Sequence, residues 1–217
     1  MLRSAFGAGP TAPLSVLCLG AHCDDVDIGC GATLLKLLGE RPGSSVHWVT
    51  FASTPERERE TRASAGDFLA GAAEARITVK AFRESYFPFI APEIKDFFEE
   101  LKRSTQPDVV FSHHRHDVHQ DHKLLADLTW NTFRNHLILE YEIPKYEGDL
   151  GHPNLFVPVS RALAERKAEL LCRHYATQKS RLWFRPETFL GLMSIRGVEC
   201  QAEEGYAEAF HLRKIVI

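Results

Sequence analysis

The sequence predicts an α/β domain: a mostly parallel sheet in three layers, with helices on both faces. Three observations lead there. Short continuous apolar runs, the mark of strands buried on both faces, alternate with segments of helical spacing along most of the chain. Helix-opening residues stand where strand gives way to helix, as with Thr54 followed by Pro55, or Pro92 in "APEIKDFFEELKRS". The 217 residues are ample for one buried core, and no internal repeat or linker divides them. One domain over 1–217 is expected, with residues 1–12 flexible.

Taken in order, "PLSVLCLG" (13–20) reads as a strand and "GCGATLLKLLGE" (29–40) as a helix with Leu34, Leu35 and Leu38 on one side. "SVHWVTFA" (45–52) is a strand, "TPERERETRASAGDFLAG" (54–71) a helix capped by Thr54, and "ARITVKAF" (75–82) a strand. The pattern continues with helix 91–104, strand "PDVVFSHH" (107–114), helix "QDHKLLADLTWNTFR" (120–134) and strand "HLILEYEI" (136–143). Such alternation implies parallel strands joined by helical crossovers. "PKYEGDLGHPNLFVPV" (144–159) reads as a long Pro/Gly-rich loop over a site or an interface. A helix capped by Ser160 (160–176) and a final strand "EAFHLRKIVI" (208–217) complete the reading.

Composition excludes several classes of function. The 26 basic and 29 acidic side chains are interspersed, for a net charge of -3, so no basic block exists to neutralise a nucleic acid. No apolar run reaches membrane-spanning length and the N-terminus lacks a long apolar stretch, so a cytoplasmic protein without a membrane span is expected. The five cysteines form no CxxC pair and are read as reduced thiols. The loop region "YEIPKYEGDLGHPNLFVPV" (141–159) is too apolar for a freely solvated tether, which points to a homo-oligomer.

In an open parallel sheet, ligands gather at the carboxyl ends of the strands. Two such ends carry unusual chemistry. "LGAHCDDVDIGCGATL" (19–34) places His22, Asp24 and Asp25 directly after a strand, and "SHHRHDVHQDH" (112–122) holds five of the chain's 11 histidines. Isolated His47, His136, His174 and His211 read as ordinary polar residues, but histidines and carboxylates at two strand ends are what a divalent metal requires. His22 and Asp25, three apart across a tight turn, can face one point, and His119 and His122 share a face if a helix starts near Gln120. Two histidines and one aspartate leave a coordination position open, the mark of a catalytic site. Adjacent Asp24 and Asp25 point apart, so one ligates while the other is free to act as a general base. Gly29, Cys30 and Gly31 lack the third glycine of a dinucleotide loop and read as positions of close packing.

At these residues the sequence resembles the PIG-L/LmbE family of metal-dependent N-deacetylases, whose signatures A-H-P-D-D-E and H-x-D-H are matched by "AHCDDV" (21–26) and "HQDH" (119–122). The resemblance covers 13 to at least 137. It implies a Rossmann-like fold with zinc, or another divalent metal, on His22, Asp25 and His122. It further implies Asp24 as general base, His119 supporting the oxyanion and leaving group, and Asp121 steadying His119. Arg57 and Glu60 match an R-x-x-E element, with Arg59 as a rival, and Arg57 is the arginine expected to bind substrate. The implied reaction removes an acyl group, acetyl first, from an N-acylated amino sugar or glycoconjugate, the leaving amine taking its proton from His119 or Asp24. Hydrolysis of a different amide or ester is the alternative within enzymes. A non-catalytic sugar-binding module would be expected to have lost Asp24 or a ligand.

This chain departs from the signatures at two positions. Cys23 replaces the proline, which loosens the turn and sets a thiol beside a ligand, open to metal competition or oxidation. Val26 replaces the closing acid, and Asp27, one position late, is not expected to substitute for it. Tyr175, Gln178 and Arg181 are further candidates to approach the site. "YFPF" (86–89), Trp183 and Phe184 read as core or loop anchors in preference to sugar-lining residues.

Overall fold

Strand β1 (Ser15–Gly20) carries Leu17, Cys18 and Leu19, all wholly buried, and is an inner strand of a seven-stranded sheet in a computed structural model that describes residue 9 and residues 11–215. The expected flexible segment 1–12 lies, except for residues 9, 11 and 12, outside the described residues. To one side of β1 lie β2 (Ser45–Thr50) and β3 (Glu74–Val79), and to the other β4 (Val109–His113) and β5 (Leu137–Tyr141), all parallel. Beyond β5 the order runs to β7 (Tyr206–Leu212), antiparallel to both its neighbours, and ends at β6 (Leu155–Val159). The chain leaves β1 toward β3 and returns to β4, so the strand order switches direction between β1 and β4. In open α/β sheets ligands bind at such a switch point, at the carboxyl ends of the strands.

Helices cover both faces. On one, α1 (Asp25–Glu40), α2 (Pro55–Phe68) and α5 (Arg161–His174) pack Leu34, Phe68 and Leu171 against Trp48, Phe111 and Tyr141, and α6 (Pro186–Cys200) adds Phe189. On the other, α3 (Ala91–Ser104) and α4 (Gln120–Thr132) pack Ile94, Phe98 and Leu125 against Leu19, Phe51 and Val110. Thr54 and Ser160 cap α2 and α5 as predicted, each accepting a backbone N–H at 3.3 Å. All five cysteines are free, and no helix among the described residues is long and apolar enough to cross a membrane.

Two elements differ from the sequence reading. The segment 144–159 ends in β6, whose Pro158 is compatible with a strand because β6 is the sheet's edge. Helix α6 escaped because Gly191 and Gly197 weaken its propensity and exposed Ile195 and Val198 break its pattern. Gly197 is nonetheless required, since a Cβ there would lie 2.2 Å from the carbonyl oxygen of Gly205.

The glycine pair in α1 has a structural role. A Cβ on Gly29 would fall 2.2 Å from the Tyr141 ring, and one on Gly31 2.7 Å from Phe68. Between them Cys30 leaves helical geometry, with φ -144°, which frees the amides of Ala32 and Thr33. The Glu208 carboxylate accepts both, at 3.0 and 2.7 Å, while Lys167 bonds Glu208 and the freed Ile28 carbonyl. Amides that would cradle a phosphate in a dinucleotide fold are thus taken by the protein's own carboxylate. Gly29→Ala is expected to lower stability by about 1–3 kcal/mol or more, read by urea denaturation, because Tyr141 must move from a bond to the Leu19 carbonyl.

Candidate metal centre

Helix α1 begins at Asp25, four residues earlier than the sequence suggested, so Asp24 is its N-cap and Asp25 lies in its first turn. Helix α4 begins at Gln120 with His119 as N-cap, placing Asp121 and His122 in its first turn. Two helix N-termini therefore meet at the ends of β1 and β4, where their dipoles favour carboxylates.

His22, Asp25 and His122 come together there. His22 Nδ1 lies 3.1 Å from His122 Nε2 and 3.5 Å from Asp25 Oδ2, and His122 Nε2 lies 3.5 Å from Asp25 Oδ1. Their other nitrogens are committed: His22 Nε2–H donates to Asp121 at 3.1 Å and His122 Nδ1–H to Asp117 at 2.9 Å. When both rings are neutral, these bonds leave two imidazole lone pairs and a carboxylate facing one point. Burial opposes a charge on His22, yet Asp25, Asp121 and Glu84 outweigh it and hold its pKa up at about 9. Burial and neighbouring His113 push His122 down to about 4. Asp25 stays well below the usual carboxylate range, because the surrounding histidines overcome its burial. The point attracts positive charge.

Two other trios, His22–His119–His122 and Asp25–His113–His122, also hold their potential ligand atoms within 4.8 Å. In both, the additional histidine has a nitrogen already occupied. His113 Nε2 accepts the Ala21 amide at 3.0 Å, and His119 Nδ1 accepts the Asp121 amide at 3.2 Å.

The carboxylates behind the histidines were only partly legible. Asp121, wholly buried, holds the His119 side chain through its backbone amide and not through the carboxylate that was expected to do so. The carboxylate accepts from His22 and from the amides of Ser85 and Phe87, at 2.6 and 3.1 Å, because the first turn of α4 points it at the loop after β3. The missed residue is Asp117, which accepts from His122, from the His119 amide at 2.8 Å and from Lys145 at 3.0 Å. Burial works against its charge, but the bond from His122 and the charges of His113 and Lys145 hold it well below the usual range. Carboxylates behind ligating imidazoles typically matter about 10–100-fold in metal affinity. Asp117→Asn is expected to weaken zinc binding by about that factor, measured by chelator competition.

Asp24 is buried beside these groups, and burial, then Asp25, pushes its carboxyl up to about 6. Arg57 is half-buried at the start of α2, pairs with Glu84 and lies near enough to Asp24 for their charges to interact. Its rival Arg59 is exposed, while Glu60 accepts the Thr177 amide at 2.9 Å.

The turn itself corrects two expectations. Cys23 is buried, its thiol pushed up first by burial and then by Asp24, and its sulfur lies 3.7 Å from Asp24 and 3.9 Å from Gln178. These surroundings favour the neutral thiol. In place of proline, the turn is fixed at the Cys23 carbonyl, which accepts from Tyr175 at 2.7 Å and from Thr61 at 3.2 Å. Asp27, pushed up to about 8 by burial, keeps its proton near neutrality and lies 2.8 Å from the Tyr175 hydroxyl. The shifted acid therefore supports the turn through Tyr175, while Val26 joins the core. Arg181 reaches Gln178, and Trp183 and Phe184 pack in the core as predicted.

Comparison with known proteins places this geometry among relatives. No curated protein matches the chain. Among solved structures, the conserved protein TT1542 from Thermus thermophilus is similar at 20% identity and TM-score 0.75, over 94% of this chain and 96% of that one. The N,N'-diacetylchitobiose deacetylase from Pyrococcus horikoshii is similar at 22% identity and TM-score 0.69, over 92% and 83%. GalB, the 4-carboxy-2-hydroxymuconate hydratase from Pseudomonas putida, is similar at 17% identity and TM-score 0.74, over 94% and 97%. At these identities the likeness is one of fold. The family PIG-L, GlcNAc-PI de-N-acetylase, matches residues 17–133, a span that holds both helix N-termini with His22, Asp24, Asp25, Asp117, His119, Asp121 and His122, and the chain belongs to that family.

Proposed function

We propose that the chain is a zinc-dependent N-deacetylase that removes an acyl group, acetyl first, from an N-acylated amino sugar or a related glycoconjugate. The observation that carries this reading is the convergence of His22 Nδ1, His122 Nε2 and the Asp25 carboxylate, with both remaining imidazole nitrogens donating to carboxylates. Donors about 2.0–2.1 Å from a tetrahedral zinc stand roughly 3.4 Å apart, close to the separations found here, and two imidazoles with one carboxylate suit that ion. His22, Asp25 and His122 would hold it. Bound there, zinc supplies Lewis acidity for the acyl oxygen and for water.

The chain's own residues then divide the work. Asp24, with a pKa near the working range, takes the proton of the attacking water. His119 offers Nε2–H to the developing oxyanion, because its Nδ1 is held by a backbone amide that can only donate. Burial, then neighbouring His122 and His22, hold the His119 pKa down, so it does not readily become an imidazolium, and Asp24, once protonated, is the better acid for the leaving amine. Arg57 binds the substrate from the start of α2. Membership of a de-N-acetylase family and the shared fold of a chitobiose deacetylase support the reading.

A second reading keeps the same ion and applies the activated water to a different electrophile; the fold shared with a hydratase favours it. Acetate release from N-acetylated sugars by the zinc-loaded protein separates the two. We also propose self-association through the loop between β5 and β6, where Tyr146 and Leu150 are exposed, and sedimentation showing a monomer would count against it.

A further inference from the structure

Between β5 and β6 the chain runs past the candidate metal centre, and one cation from this loop is buried against it. The Lys145 side chain is 8% exposed, and its Nζ lies 3.0 Å from Asp117 Oδ2 and 2.6 and 2.7 Å from the two oxygens of Asp149. A turn at Tyr146 and Glu147, with Gly148 at φ +63°, brings Asp149 back beside Lys145. The two carboxylates that share the lysine also hold consecutive amides. Asp149 accepts that of Val118, and Asp117 Oδ1 that of His119, each at 2.8 Å.

Asp117 Oδ2 accepts from Lys145 and also from His122 Nδ1–H at 2.9 Å. With donors on both of its oxygens, the carboxylate is fixed in its plane, and it fixes the His122 ring. The loop has separate anchors on the fold. Glu142 pairs with Arg196, which also bonds the Gly151 carbonyl, and the Tyr146 hydroxyl accepts the Leu182 amide at 3.3 Å. The contribution particular to Lys145 is its charge. Without it, Asp117 and Asp149, with side chains 4% and 10% exposed, would face each other across the space it leaves. Like charges so placed repel, and a buried carboxylate that loses its cation is strongly destabilised. Either carboxylate, in moving away, would pull the backbone that carries His119 and His122 into α4.

We propose that Lys145 is a positioning residue of the metal centre. By neutralising Asp117 and Asp149 at one point, it keeps the Asp117 carboxylate on His122 and fixes the entry to α4, so the loop between β5 and β6 helps to set metal affinity. The proposal rests on the metal site of the deacetylase reading above.

The test measures zinc affinity of the full chain by chelator competition, and the visible spectrum of the cobalt-substituted protein, in the wild type, Lys145→Met and Lys145→Arg. The double variant Lys145→Met/Asp149→Asn removes the carboxylate left without a cation, and it keeps the measurement available if the single Met variant does not fold. The expected result is zinc bound about tenfold more weakly in both Met variants, with an altered cobalt spectrum. Lys145→Arg, which restores the cation, is expected to stay within about threefold of the wild type with its spectrum unchanged. Affinity within about twofold of the wild type in the Met variants, or an equal loss in Lys145→Arg, would overturn the positioning role and leave the metal centre standing. A wild-type chain that binds no zinc would overturn the metal centre itself, and the role of Lys145 with it.

Discussion

Asp24→Asn is expected to retain a full complement of zinc while turnover falls about 10²–10⁴-fold, the usual worth of a positioned proton acceptor. The residue is separable from metal binding because of where the helix starts. Asp24 is the N-cap of α1 and Asp25 its first residue, so the two carboxylates leave the backbone in different directions. Asp25 faces His22, His113 and His122, whereas the Asp24 carboxylate accepts from the Cys23 thiol at 3.7 Å. An asparagine fits the same space and keeps an oxygen, but it neither accepts the water's proton nor returns one to the amine. Metal content by elemental analysis and kcat on an N-acetylated sugar check the two halves. Undiminished turnover would remove Asp24 from the role of base, and lost metal would make it a ligand.

His122→Ala is expected to abolish both tight zinc binding and activity. The substitution removes a ligand and also strands its partner. Asp117 is left with Lys145 and the His119 amide, and Asp25, wholly surrounded, loses one of the histidines that offset its burial. Zinc at about 100 times its dissociation constant should stabilise the wild type by about 2.7 kcal/mol and shift its Tm upward accordingly. In the variant that shift should vanish. A thermal melt with and without zinc reads this directly, and an equal shift in both proteins would show that the ion sits elsewhere.

Sequence reading reached different depths in different parts of the molecule. Strands β1, β2, β4 and β5 were legible because buried parallel strands appear as largely apolar runs, the exposed edge strand β3 because Ile77, Thr78 and Val79 are β-branched, and helices of this region open with Thr54, Pro55, Pro92 or Ser160. The edge strand β6 was hidden by Pro158, and α6 by its glycines, since both depend on neighbours that local pattern does not record. At the site, His22, Asp25 and His122 could be picked out because each lies at a strand end within a short motif. Their supports could not. Asp117 meets His122 only after the loop following β4 folds back, Tyr175 reaches the Cys23 carbonyl from 152 positions away, and the Asp121 carboxylate holds His22 while only its backbone amide meets His119. Tyr86 and Phe89 were read as anchors because the motif contains Phe87, which is one, whereas these two rings are exposed.

The most direct test is the zinc retained per chain after reconstitution and dialysis, measured by elemental analysis in the wild type beside His22→Ala. About one ion per wild-type chain, lost in the variant together with acetate release, is the predicted result. An ion retained equally by both proteins, or acetate released by a chain that retains none, would contradict a hydrolytic metal centre on His22, Asp25 and His122.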